Sequence, residues 1–147
     1  MSDPELDEFL RGSRTAYIEE LVASGMADEA AATLADEQQH AAFPDGRPAH
    51  GHCVCRIVED DRPVGYVWFG PETATVEDQW WLWDIEVDAT HRGRGVGTEA
   101  IALVEAEVRR LGGTGIGLSV FGANDSARRL YDRLGFATVS VRMHKRL

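Results

Sequence analysis

Residues 87 to 98 read Val-Asp-Ala-Thr-His-Arg-Gly-Arg-Gly-Val-Gly-Thr, placing Gly93, Gly95 and Gly97 at every second position beside Arg92 and Arg94. Glycines let a backbone approach a ligand closely. Successive main-chain N–H groups in such a turn, backed by the positive end of a following helix, form a cradle for pyrophosphate oxygens. The two guanidinium groups are candidates for charge-assisted contacts to the same oxygens. A Walker loop needs GxxxxGK[ST] and a dinucleotide fingerprint needs G-x-G-x-x-G, and neither spacing is present. Glycines also serve any tight strand-to-helix connection, so the turn alone is equally compatible with a structural role.

A second chemical candidate is the group His50, His52, Cys53 and Cys55. No second ligand pair with finger-like spacing exists to close a tetrahedral zinc site, so these residues read as the start of a strand and no metal is expected. Two cysteines at spacing two do not make a disulfide framework.

The elements around the glycine turn must position it. Leu6, Phe9, Leu10, Tyr17, Ile18, Leu21 and Val22 recur mostly at helical spacing and predict a first amphipathic helix, stopped at Gly25. A second helix is expected from Asp28 to Ala42, ending at Phe43-Pro44-Asp45-Gly46. The β-rich runs Cys53 to Val58 and Val64 to Phe69 flank the polar segment 59–63 and predict an antiparallel hairpin. A loop from Gly70 to Asp78 leads to a strand from Trp80 to Val87, whose aromatics read as core rather than a ligand cage. After the glycine turn come a helix from Gly97 to Leu111, capped by Gly112-Gly113, and a strand from Ile116 to Phe121. A helix from Asn124 to Leu134, stopped by Gly135, and a closing strand from Phe136 to Leu147 complete the chain. The predicted order is ααββ followed by βαβαβ. At 147 residues the chain is long enough for one packed core, and one domain over residues 1–147 is expected.

The motif Arg92-Gly93-Arg94-Gly95-Val96-Gly97 resembles the [QR]-x-x-G-x-[GA] signature of the GCN5-related N-acetyltransferase (GNAT) superfamily. Asn124-Asp125-Ser126-Ala127-Arg128-Arg129-Leu130-Tyr131, continuing to Gly135-Phe136, is similar to that family's N-x-x-A-x-x-L-Y-x-x-x-G-F pattern. The likeness is specific over residues 82–136 and architectural before that. It implies an α/β fold with a central mixed sheet flanked by helices; the family's usual first strand is not evident before the first helix, either because the start is truncated or because that edge strand is missing. It implies acetyl-coenzyme A as co-substrate and transfer of its acetyl group to an amine by direct attack in a ternary complex. By the same resemblance, backbone groups of Ile85 and Val87 pair with the pantetheine arm, which Asn124 also contacts. Amides of Arg92, Gly93, Arg94, Gly95, Val96 and Gly97, with Thr98 in the first helical turn, hold the pyrophosphate. The arm enters as a pseudo-strand where two strands splay apart, a suitable receptor for an amide-bearing chain.

Amine acetylation needs a neutral nucleophile, whereas an alkylammonium of pKa ~10.4 is protonated at neutral pH. Glu86 is the first candidate base, since it lies on the strand beside the proposed thioester; Asp84, at spacing two, is the alternative. A backbone N–H near Val87 is the family-like donor to the carbonyl oxygen as charge builds on it. Tyr131 is the candidate donor of a proton to the leaving thiolate. In some relatives a glutamate serves as base about where this chain has Ser119. A coenzyme-binding regulatory module without catalysis is therefore the alternative reading.

The formal charge of −10 argues against a nucleic-acid binder. Residues 1–80 carry 17 acidic and 5 basic side chains, and residues 81–147 carry 8 and 10. An anionic cofactor suits the second half and a cationic acceptor, small amine or peptide, suits the first, although a solvated acidic surface explains the bias equally well. Tyr17, Glu37 and His40 are acceptor-side candidates. Neither a membrane span nor a signal peptide is visible, which makes the cytoplasm the default location. Homodimers are common among enzymes of the resembled family.

Overall fold

The computed structural model describes residues 1–72, 79–143 and 145. Helix α1 (Asp3–Ala23) starts with a capping box, in which Ser2 accepts from the third helical amide and its own N–H donates to Glu5 at 2.8 Å. It ends at Gly25, whose φ of 99° only glycine adopts readily. Helix α2 (Asp28–Ala42) returns alongside it, held by a two-bonded ion pair from Arg14 to Asp36 at 2.6 and 3.2 Å. The Phe43–Gly46 turn predicted from Pro44 forms a single 3₁₀ turn.

Strands β1 (Cys53–Glu59), β2 (Arg62–Pro71) and β3 (Gln79–Val87) form an antiparallel meander. The β1–β2 turn places Asp60 and Asp61 at φ 51° and 61°, the paired positive values of a type I′ hairpin. Helix α3 (Val96–Arg110) then crosses to β4 (Gly115–Leu118), which pairs parallel to β3 and completes the sheet order β1-β2-β3-β4. Helix α4 (Asp125–Arg133) follows, with the Asn124 carboxamide oxygen accepting from the Ala127 amide at 3.1 Å as its cap.

Each sheet face carries its own core. Val67, Phe69, Trp80 and Leu82 meet Ile101, Val104 and Val108 of α3; Ile101 is fully buried, a contribution of about 1.5–3 kcal/mol. On the opposite face Trp68 meets Leu6, Phe9 and Leu10 of α1 and Phe43 after α2. The helical elements match the predicted ones to within a residue or two. Two expectations differ. The strand predicted from Ile116 to Phe121 ends at Leu118, and the closing strand predicted over 136–147 is not formed over residues 136–143, where Val139, Val141 and Met143 lie exposed. Alternating apolar residues supply strand propensity, but a strand also needs a partner edge, and none is engaged there. Residues 144, 146 and 147 of that segment, and 73–78 of the predicted loop, lie outside the described residues. Among the described residues no helix is long and apolar enough to cross a membrane.

Candidate active site

The decisive local feature is a break in alternation on β3. Trp68 of β2 pairs with Asp84, but its neighbour Phe69 pairs with Leu82, leaving Trp83 as an extra residue, a β-bulge. Unbroken alternation would put Trp80, Leu82, Asp84 and Glu86 on one face. The extra residue sends Trp80 and Leu82 into the α3 core and turns Asp84 and Glu86 to the α1 face, opposite Trp68 and Tyr66.

There the two carboxylates enter a cleft of about 330 Å³ between α1, α2 and the β2–β3 hairpin. Ser13 of α1 donates to Asp84 Oδ2 at 2.7 Å, and the Tyr66 hydroxyl lies 3.2 Å from the same oxygen and 3.1 Å from Glu86 Oε2. Burial pushes the Asp84 carboxyl above the usual range, Ser13 and Tyr66 partly offset that, and the Glu86 charge adds to it. Glu20 is raised as well, first by burial and then by Asp84. Tyr66 is pushed far up by burial and by both β3 carboxylates, so its proton stays on the phenol. Glu86, the first candidate base, is exposed and lies 3.7 Å from Arg92.

Of the acceptor-side candidates, Tyr17 lines the cleft; Glu37 lies in a separate shallow groove on α2 and His40 is exposed. Gln38 and Gln39 line the cleft from α2 instead. Glu20 was not singled out from the sequence, although it lies three residues after Tyr17 and therefore on the same helical face. Trp83, read as core, also lines the cleft, and its buried indole N–H has no partner among the described residues. Leaving it unpaired costs about 1–3 kcal/mol, which an accepting oxygen on a bound molecule would recover.

The other half of the site is a gap in the sheet. β4 pairs with β3 only from Gln79 to Leu82, so among the described residues Trp83 to Val87 have no partner on that side. The Asp88 amide donates back to Val64 at 2.9 Å; amide direction alternates along a strand, so the groups of Val87 and Ile85 face the gap. Gly65 makes the β2 side tight, since a Cβ there would sit 2.1 Å from the Glu86 carbonyl oxygen. At the end of the gap Gly93 and Gly95 take φ of 73° and 93°, and Gly95 caps α3. The first-turn amides of Val96, Gly97 and Thr98 have no intrahelical partner and point outward, and among the described residues no side chain caps the helix. Gly97 lies against Leu130 of α4, where a Cβ would stand 3.4 Å from that side chain.

Both turn arginines engage the protein itself. Arg92 Nε donates to the Val87 carbonyl at 2.6 Å, and Arg94 lies 3.3 Å from Glu59. Asn124 lines the cleft while its oxygen caps α4. Tyr131 packs edge-on against Phe136 in the α3-side core, with ring centres 5.6 Å apart. Its phenol is raised by burial and then by the charges of Asp84 and Glu20.

A strand opened along one edge, leading to a glycine turn and an uncapped helix N-terminus, is the arrangement the two motifs implied. Residues 12–136 match the Acetyltransferase (GNAT) family. The chain belongs to this family. Among similar GNAT proteins of Bacillus subtilis (strain 168), the uncharacterized N-acetyltransferase YdgE is 26% identical, across all of this chain and 95% of that one. The uncharacterized N-acetyltransferase YycN is 28% identical, across all of this chain and 96% of its own. The crystal structure of YycN superposes with a TM-score of 0.88 at 27% identity, covering all of this chain and 95% of that one. The aminoglycoside N-acetyltransferase AAC(6')-Iy, solved in complex with CoA, shares the fold with a TM-score of 0.58 at 19% identity, covering 78% of this chain and 85% of that one. The four-stranded mixed sheet flanked by helices is thus the GNAT architecture. Among the described residues no group of three or more potential ligands is arranged to hold a metal ion.

Proposed function

We propose that this chain is an acetyl-CoA-dependent N-acetyltransferase acting on a primary amine by direct transfer. The observation that carries the reading is the edge of β3 from Trp83 to Val87, unpaired among the described residues, which runs from the N-terminus of α3 to the cleft holding Asp84. The groups fit the cofactor's chemistry: outward amides at Val96, Gly97 and Thr98 suit a pyrophosphate, and the gap-facing groups of Ile85 and Val87 suit an amide-bearing arm. Arg92, Gly93, Arg94 and Gly95 complete the phosphate turn, and Asn124 has its carboxamide N–H groups available to the arm.

When bound, the thioester supplies an acetyl carbonyl whose C–S bond breaks as the N–C bond forms, leaving a thiolate that needs one proton. Asp84 is the base. Its raised affinity for a proton and its position inside the cleft suit it to accept one from the acceptor ammonium, whereas Glu86 is exposed and faces a guanidinium. Ser13 and Tyr66 fix the carboxylate by donating to Oδ2. The Val87 N–H faces the gap and offers a donor to the carbonyl oxygen as negative charge builds. The Tyr131 Oη, protonated at working pH, gives its proton to the leaving sulfur, and the second proton released by the newly acylated nitrogen restores the phenol.

Calorimetric titration with acetyl-CoA, followed by free-thiol release across a panel of primary amines, tests the proposal. Saturable binding with amine-dependent thiol release is expected. Binding without thiol release on any amine would turn the reading to a coenzyme-binding module, and no binding would overturn it.

A further inference from the structure

The acceptor cleft holds more negative charge than one ammonium can balance. Glu86 is offset by Arg92, but among the described residues no cation pairs with Asp84 or with Glu20, both of which line the same cleft. Arg14, the other cation on the cleft wall, is already held by two bonds to Asp36. Reaction at Asp84 transfers a proton to it and removes that charge. Glu20, exposed on the same wall, then stands beside the aromatic residues Tyr17, Tyr66 and Trp83 with no cation partner among the described residues. A second positive charge on the acceptor resolves this, and aromatic faces around it add cation–π attraction. Acceptors bearing a carboxylate are disfavoured, because both guanidinium groups on the cleft wall are engaged.

Resting on the proposed transferase reading, we infer that the acceptor is a short α,ω-diamine or the terminal diamine of a polyamine. Its reacting nitrogen docks at Asp84 and its second ammonium is held by Glu20. One nitrogen gains the acetyl group and loses two protons, one to Asp84 and one that replaces the proton Tyr131 gives to the thiolate; the other nitrogen keeps its charge throughout.

The test compares 1,4-diaminobutane with its isosteres 1-aminobutane and 4-aminobutanoate, in thiol release and in calorimetric binding to the protein with CoA present. A kcat/KM roughly tenfold or more higher for the diamine than for the monoamine is expected, with 4-aminobutanoate slowest, as for loss of one charged contact. Glu20→Gln should collapse the diamine preference in both assays, and Glu20→Asp, which keeps the charge, should retain it. Equal efficiency with diamine and monoamine, or a preference that survives Glu20→Gln, overturns the inference while leaving the transferase intact. Failure of acetyl-CoA to bind would instead strike the underlying reading, so the two failures are distinguishable.

Discussion

Ser13 donates a 2.7 Å hydrogen bond to Asp84, joining the first helix to the third strand across 71 positions of sequence. The bond ties the proposed base to α1 and favours the charged carboxylate against the opposing effect of burial. Asp84 is therefore tuned from two sides, downward by Ser13 and Tyr66 and upward by the neighbouring Glu86 charge.

That balance gives opposite shifts for two substitutions. With Asp84 as the proposed base, activity depends on its ionised form, and kcat/KM is expected to fall as pH drops through the raised pKa of this group. Ser13→Ala removes a stabilising donor and should move this acidic limb to higher pH; Glu86→Gln removes a like charge and should move it to lower pH while most turnover persists. Complete loss of activity in Glu86→Gln would return the base role to Glu86.

Asp84→Asn should make the protein more stable and almost inactive. The native carboxyl binds its proton more tightly than the unfolded one, so between the two pKa values the native state carries more protons and stability falls as pH rises. The carboxylate thus opposes folding once the pH exceeds its native pKa, and it does not below the unfolded pKa. Thermal melts should show Asp84→Asn above wild type at pH 8, with the gain disappearing near pH 3, alongside a turnover loss of about 10²-fold or more.

Tyr131→Phe keeps the ring against Phe136 and removes only the hydroxyl. Turnover should fall by about tenfold or more while the acetyl-CoA Kd stays within twofold, the signature of a group acting on the reacting atoms. Calorimetry beside steady-state rates reads both, and unchanged turnover removes the phenol from the mechanism.

Gly65→Ala would place a methyl group 2.1 Å from the Glu86 carbonyl oxygen, with backbone on both sides of the clash. The β2–β3 pairing must spread just where the acidic pair is mounted. A loss of about 2 kcal/mol or more is expected, read as a lower urea midpoint. Gly93→Ala meets no atom within 4 Å and carries only the penalty of its φ of 73°, about 1–2 kcal/mol.

The residues alone determined the family and the order of elements through α4. The glycine turn and the Asn124–Phe136 pattern are local signals, and helices such as Asp28–Ala42 follow from composition bounded by Pro and Gly. Local signals do not count residues across a strand pair. The extra residue at Trp83 is set by pairing with β2, so Asp84 and Glu86 turning to the α1 face could not be derived from strand alternation. The same limit hid Glu20, whose helix meets β3 only in the folded chain, and it made Glu86 rather than Asp84 the first candidate base. Burial raises the Asp84 carboxyl, and burial depends on residues distant in sequence. The segment after Phe136 failed for the complementary reason: alternation there supplies strand propensity, but pairing needs an edge that only the tertiary structure can provide.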